Sequence, residues 1–214
     1  MFVGHYAVAL AADAAEPKAP LWSYVLACQL LDVGWSGLVL AGVEKLRLDP
    51  SLPGSPLDLY YMPFTHSLPG AAAISVAAAL AARAFLRLPW RAAGLVGAVV
   101  FSHWLLDFLV HRPDLLLWSG VPKVGLGGWN FPLAEATLEM GLVALAGWAW
   151  VAARKSRGFA VWPGLLFLAA LTAVQMISQL MPSGGAPAGF AISALAVYLL
   201  LTALAVPLGR RRTA

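Results

Sequence analysis

The chain is poor in charge. Only 11% of its 214 residues are Asp, Glu, Lys or Arg, against about 25% in a soluble domain. Fourteen basic and ten acidic residues cannot coat a water-facing surface of this size, which excludes an ordinary soluble globule. A disordered chain is excluded as well, because 61% of the residues are hydrophobic. Cysteine is nearly absent. Cys28 alone permits no internal disulfide and no Cys-based metal site, and its apolar neighbours make it a small core residue. No basic stretch precedes the apolar residues 1–12, and His5 interrupts them, so a cleavable leader is not expected. Neither a Gly-x-Ser-x-Gly elbow nor a Gly-Lys-Ser/Thr phosphate loop occurs. No repeat of 20–50 residues stands out, which leaves an inverted-repeat transporter little support.

What is abundant is uninterrupted apolar sequence, with a mean hydropathy of +0.79. Spanning a bilayer as a helix takes about 20 apolar residues. Six stretches meet that length: 21–43, 68–88, 90–110, 133–153, 161–181 and 187–207. Residues 2–15 form a shorter seventh stretch, which spans only a thinned bilayer or turns back within it. Pro or Gly punctuates most junctions, as helix boundaries require. Runs of this kind lack the period of two that a barrel strand needs. The expected fold is therefore all-α: a polytopic membrane bundle of six transmembrane helices plus a short apolar N-terminal segment, forming one domain over residues 1–214.

The formal charge of +4 concerns topology rather than nucleic acid, since the basic residues are not gathered on one soluble module. Ten of the fourteen sit at alternate junctions: Lys18; Arg83, Arg87 and Arg91; Arg154, Lys155 and Arg157; and Arg210, Arg211 and Arg212. The other four (Lys45, Arg47, Arg112 and Lys123) lie in two long loops, diluted by Glu44, Asp49, Asp58 and Asp114. The positive-inside rule then places 83–91, 154–157 and the C-terminus in the cytoplasm, and the loops 44–67 and 111–132 outside.

Ionisable residues inside membrane segments cost about 2.5–3.5 kcal/mol each and are functional candidates by default. Here they are His5, Asp32, His66, His103, Asp107, His111, Glu135 and Glu139, and they include every histidine of the chain. Under a topology taken from Lys and Arg alone, nearly all fall in the outer half. His103 and Asp107 are spaced i, i+4 and share a helix face, as do Glu135 and Glu139. Imidazole with carboxylate suits Zn²⁺, Mn²⁺ or Fe²⁺ rather than Ca²⁺ or Mg²⁺. Such an ion lowers the pKa of a bound water and polarises a phosphoryl or carbonyl oxygen.

Each of these residues also has a plainer reading. His5 sits near a terminus and suits the membrane interface. Asp32 reads equally as a lone acid bonded to a neighbouring segment. Thr65-His66-Ser67 reads as a helix cap. His103 and Asp107 suit an intrahelical hydrogen bond, and His111 with Arg112 and Asp114 suits a solvated helix end. Glu135 and Glu139 suit pairing with Arg112 or Lys123, or the helix dipole. Gly125-Leu126-Gly127-Gly128-Trp129-Asn130 reads as a turn or a close backbone approach to the site.

A resemblance then adds to this reading. Gly4-His5, the Leu30-Leu31-Asp32 step, Phe64-Thr65-His66-Ser67-Leu68 and Ser102-His103-Trp104-Leu105-Leu106-Asp107 resemble the membrane-bound metal-dependent hydrolases. That group is also described as LexA-binding, inner-membrane-associated hydrolases. The resemblance covers roughly residues 1–140. It implies a divalent metal on His5, Asp32, His66, His103 and Asp107, with His111 a sixth ligand. The chain departs from the family pattern in two places. A Pro-Asp-x-Asp step is replaced by Gln29-Leu30-Leu31-Asp32-Val33-Gly34, removing one carboxylate and counting against a second metal. Tyr60-Tyr61-Met62-Pro63-Phe64 stands where an Arg is usual.

Three functions follow as expectations. The first is a metal-dependent hydrolase in a bacterial inner membrane, with Zn (or Mn or Fe) activating water on a lipid head group or lipid-linked phosphoester near the outer face. In it Asp107 or Glu139 relays the proton, and 161–207 supplies two accessory helices. The second is a proton or divalent-cation transporter using the same groups, although a pathway needs groups in both halves. The third is a non-enzymatic membrane scaffold with structural histidines.

Overall fold

The computed structural model describes residues 1–118, 121–180 and 185–209. The basic cluster Arg210, Arg211 and Arg212 lies outside these residues. The described chain forms eight α-helices and one hairpin: α1 (His5–Ala15), α2 (Leu21–Cys28), α3 (Leu30–Leu40), β1 (Lys45–Leu48), β2 (Leu57–Tyr61), α4 (Leu68–Phe85), α5 (Trp90–Val110), α6 (Pro132–Ser156), α7 (Trp162–Leu180) and α8 (Pro187–Ala205). Five helices (α4 to α8) are long and apolar enough to cross a membrane, and a sixth span results if α2 and α3 count as one. The coarse expectation of a helical membrane bundle therefore stands.

Three features differ from the sequence reading. The expected span 21–43 is broken at Gln29, and its two halves meet at 52°. Leu, Trp, Val and Ala run on through the break, so composition conceals it. Second, the 44–67 loop folds back as an antiparallel pair, with Arg47 opposite Asp58 and Leu48 opposite Leu57. Third, α1 has eleven residues, about 16 Å at the usual helical rise, so it cannot cross a hydrocarbon core of about 30 Å alone. It is instead a core element. Tyr6, Ala9 and Leu10 are fully buried, and α1 packs on α2, α5 and α6.

Among the large hydrophobic side chains, the most exposed sit on the long helices: Phe85, Leu133, Leu145, Trp148 and Leu180. In water they would be a liability. Against lipid tails they carry no penalty. Helices α4 and α5 form the most extensive packed pair. Their close approach depends on Gly97, where a Cβ would lie 2.7 Å from the Ser75 carbonyl oxygen and 3.0 Å from the Ala79 Cβ. Both neighbours are on α4, one of them backbone, so they cannot rotate away.

Gly97→Val is expected to cost about 1–3 kcal/mol by overpacking. Thermal unfolding in detergent should then show the midpoint lowered by about 2–4 °C per kcal/mol lost. An unchanged midpoint would show that this interface has slack.

Candidate metal centre

Four separate segments deliver polar side chains to one point near the hairpin end of the bundle. His5 opens α1. Asp32 lies in the first turn of α3, just past the break. His66 immediately precedes α4. His103 and Asp107 lie one turn apart near the end of α5, and His111 ends that helix. All but Asp32 are essentially buried, and Asp32 retains 15% side-chain exposure.

Asp107 is the hub. Its Oδ1 lies 3.1 Å from His5 Nε2 and 3.4 Å from His111 Nε2; its Oδ2 lies 3.1 Å from His103 Nε2 and 3.5 Å from His66 Nε2. Asp32 Oδ1 adds contacts of 3.2 Å to His66 Nε2 and 3.5 Å to His103 Nε2. The Met1 nitrogen is 2.9 Å from Asp107 Oδ1. The structure thus brings these six side chains within contact distance of one another around Asp107. The plainer readings fail for His5, which is buried rather than interfacial, and for His111, whose helix end is not solvated.

A second layer fixes how each imidazole faces the centre. His103 Nδ1 donates to the Cys28 carbonyl at 2.7 Å. That carbonyl belongs to the last turn of α2, which the break at Gln29 leaves without a helical partner. His111 Nδ1 donates to Asp114 Oδ1 at 2.9 Å. His66 Nδ1 lies 2.8 Å from Thr65 Oγ1, and the Thr65 hydroxyl gives its own proton to Glu44 Oε2 at 2.6 Å. Thr65 therefore accepts from His66. Glu44 is in turn held by the amides of Phe64 and Thr65. In all three histidines Nδ1 carries a proton, and in the neutral ring Nε2 then presents a lone pair to the centre. This carbonyl-or-carboxylate support behind a ligating imidazole is the usual arrangement of metal sites.

The lone pairs then face carboxylate oxygens, which is unfavourable unless a cation lies between. The geometry bears this out. His103 Nε2 is 3.1 Å from Asp107 Oδ2 yet forms no hydrogen bond with any described residue, because the oxygen is off the axis that an N–H would need. Two ligands on one ion, each at about 2.0–2.2 Å and at 90–109° to one another, lie about 3.0–3.4 Å apart. The observed N···O separations of 3.1–3.5 Å match that spacing. Ligand atoms of Asp32, His66 and His103 all lie within 4.8 Å of one another, as do those of His5, His103 and Asp107. The donor set can hold a divalent metal.

The remaining candidates take other places. Glu139 is buried, but both oxygens are occupied: Oε1 accepts from the Phe2 amide and Oε2 from the Gly4 amide, each at 2.8 Å. It therefore pins the segment that carries His5. Neither Glu135 nor Glu139 pairs with Arg112 or Lys123. Arg112 instead donates to the Ser55 carbonyl and to Asn130, and Lys123 to the Tyr60 carbonyl. Ser67 does cap α4, accepting from the Gly70 amide at 3.1 Å, so the cap reading of the Thr-His-Ser triplet is met while His66 itself faces the cluster. The glycine-rich stretch folds over the end of α5. Leu126 N donates to the Phe108 carbonyl and Gly127 N to the His111 carbonyl, and a Cβ on Gly125 would strike the carbonyls of His111 and Arg112. Trp129 then packs on the His111 ring at 4.1 Å.

Four participants were not singled out from sequence: Glu44, Thr65, the Cys28 carbonyl and Tyr198. The Tyr198 hydroxyl, from α8, donates to Asp32 Oδ2 at 2.8 Å. Helix α8 thus reaches the site and is not merely accessory. A tyrosine hydroxyl midway along a largely apolar span was the available signal. No protein-family model, curated protein or solved structure matches the chain.

Thr65→Val removes the acceptor behind His66 while keeping the shape. Metal affinity, measured by chelator competition, should fall about 10–100-fold, whereas Thr65→Ser should stay near the parent. Equal affinities for all three proteins would refute the support assigned to this hydroxyl.

Proposed function

We propose that the chain is a membrane-embedded, metal-dependent hydrolase acting on a lipid head group or a lipid-linked phosphoester. The observation that carries this reading is the convergence of four Nε2 atoms and two carboxylates on one buried centre, with three of the imidazoles held in the metal-ready tautomer. The resemblance of Thr65-His66-Ser67 and Ser102-His103 to Asp107 to the membrane-bound metal-dependent hydrolases supports the same assignment. An imidazole-rich donor set favours Zn²⁺, with Mn²⁺ and Fe²⁺ as alternatives. When bound, such an ion acidifies water and polarises the oxygen of the scissile group.

The chain's own residues then have distinct tasks. His66, His103, Asp32 and Asp107 hold the ion. Glu139 positions His5 through the Phe2 and Gly4 amides, and proton relay falls to a carboxylate with a less engaged oxygen. Asp32, the one ligand with appreciable exposure, marks where a substrate meets the centre. It lies on α3 against α8, helices that carry exposed Leu40, Leu199 and Leu200 side chains. A substrate entering there crosses an apolar boundary, which suits an amphiphile. The resemblance points to the inner membrane of a bacterium, and the positive-inside rule to a cytoplasmic C-terminus with the hairpin end outside.

Purified protein should contain stoichiometric metal by plasma mass spectrometry, and His66→Ala and His103→Ala should lose it. In phospholipid vesicles the parent should release water-soluble head group, stop on chelation and resume on adding Zn²⁺. A metal-free parent, or a fully metallated one inert on phospholipid and polyprenyl-phosphate vesicles alike, would sink the reading. For orientation, Asp58→Cys in intact cells should react with an impermeant thiol reagent and Arg157→Cys should not, with buried Cys28 giving little background. The opposite pattern would invert the topology.

A further inference from the structure

The basic end of the bundle carries a second group of polar residues, remote from the metal centre. Arg154 lies fifteen residues after Glu139 on α6, about 22 Å further along the helix. It is only 5% exposed, although a guanidinium is always charged. Gly164 of α7 permits that burial. A Cβ there would come within 3.3 Å of the Trp150 ring and 3.4 Å of Arg154 Nε.

A buried charge is normally paired. Among the described residues Arg154 forms no ion pair. Its Nη1 donates to the Leu208 carbonyl at 2.7 Å, and its guanidinium lies 5.0 Å from the Trp150 ring and 4.9 Å from the Phe159 ring. Its Nε has no hydrogen-bond partner among those residues. Asp13, the acid at this end of α1, is engaged elsewhere: Oδ2 accepts from Trp150 Nε1 at 2.8 Å and lies 3.8 Å from Arg157 Nη1. The sequence around the site adds only positive charge, with Lys155 and Arg157 on one side and Arg210, Arg211 and Arg212 after Leu208. What this end lacks is an anion.

A cleft of about 180 Å³ opens beside the guanidinium, with Arg154, Phe159, Ala160, Trp162 and Leu208 in its lining. Pockets that enclose a whole small molecule run to about 300–1,000 Å³, so this one suits a phosphate group and not an acyl chain. Trp162 is 61% exposed, as an aromatic anchor at a membrane interface is. Leu165 and Leu166, one turn further along α7, are exposed as well and offer acyl chains an apolar track. Basic pockets between helices on the cytoplasmic side of a membrane take phosphate head groups. We infer that the cleft between α6, α7 and the chain after α8 binds the phosphate of an anionic phospholipid, with Arg154 as its counter-ion. The inference stands apart from the metal centre and does not rest on a hydrolytic function.

Full-length protein in detergent, titrated with phosphatidylglycerol, phosphatidylcholine or glycerol 3-phosphate and followed by native mass spectrometry, provides the test. One phosphatidylglycerol should be retained per chain in preference to the other two. Arg154→Gln should weaken that binding about 10–100-fold, the worth of a hydrogen bond to a charged group. Ala160→Leu fills the cleft, leaves the Arg154 bonds in place and should weaken it too. Arg87→Gln, at an exposed arginine of the same side, should change it little. Equal retention of the two lipids, or equal losses in Arg87→Gln and Arg154→Gln, overturns the site. Glycerol 3-phosphate bound as tightly as the lipid makes it a site for soluble anions and overturns the lipid. Binding should survive chelation, and its loss there would place the lipid at the metal centre instead. The parent's selectivity and Ala160→Leu decide the matter even if Arg154→Gln fails to fold.

Discussion

Burial of the Asp107 carboxylate is the constraint on which the rest of the structure turns. An ionised carboxylate inside an apolar bundle costs several kcal/mol unless charge is supplied beside it. Here the Met1 amine and His5 Nε2 hydrogen-bond Oδ1, while the other three rings have committed their Nδ1 protons elsewhere. Doubly protonated rings packed against one another would add repulsion, and His5 and His103 stack face to face. A divalent cation among these groups would resolve both problems: it would neutralise Asp32 and Asp107 and let neutral imidazoles stack.

Several irregularities of the fold make sense as consequences. A continuous helix over 21–40 would consume the Cys28 carbonyl internally. The break at Gln29 frees it for His103 Nδ1. Non-helical backbone at membrane depth is tolerated where it faces protein rather than lipid, and this one is covered: Gln29 is buried, with Nε2 donating to the Phe2 carbonyl at 3.1 Å. At the other end of α5, terminal carbonyls are met by the glycine-rich stretch. The same stretch brings Trp129 onto His111 and Asn130 onto Arg112. Arg112 then ties the loop after β1 through the Ser55 carbonyl. The hairpin and this loop form one lid-like layer over the ligand end of the bundle.

Much of this was legible beforehand, for identifiable reasons. Charge scarcity and run length fix helical spans with little help from tertiary context. Polar residues in such runs are so costly that His103, Asp107 and Asp32 stand out one by one. Lys and Arg placement put most of them at one end without any structural input. What escaped notice depends on tertiary geometry. The helix break at Gln29 has no Pro or Gly signature, since Ala27-Cys28-Gln29-Leu30 is compatible with an unbroken helix. Glu44 looked like a loop acid diluting nearby lysine, yet it is buried and holds Thr65. Tyr198 has no partner within its own helix, so only the packing of α8 on α3 reveals it. The short N-terminal stretch was ambiguous because eleven apolar residues fit a core helix as well as a thin span.

The position of α8 bears on how a buried centre stays reachable. Of the ligands, only Asp32 has appreciable exposure, and its second oxygen is held by Tyr198. Trp35 of α3 and Phe190 of α8 meet edge to face at 6.3 Å, and Phe2 meets Tyr198 in the same way at 5.9 Å. These aromatic contacts close α8 against α3 and the N-terminal segment with apolar surface, leaving Tyr198–Asp32 as the polar contact at that seam. Apolar contacts between helices gain little in lipid, where the tails offer equivalent surroundings. Separation of α8 from α3 therefore carries a small penalty beyond that one hydrogen bond. The seam is the less firmly fastened side of the centre, whereas the hairpin layer is held by arginine and backbone bonds.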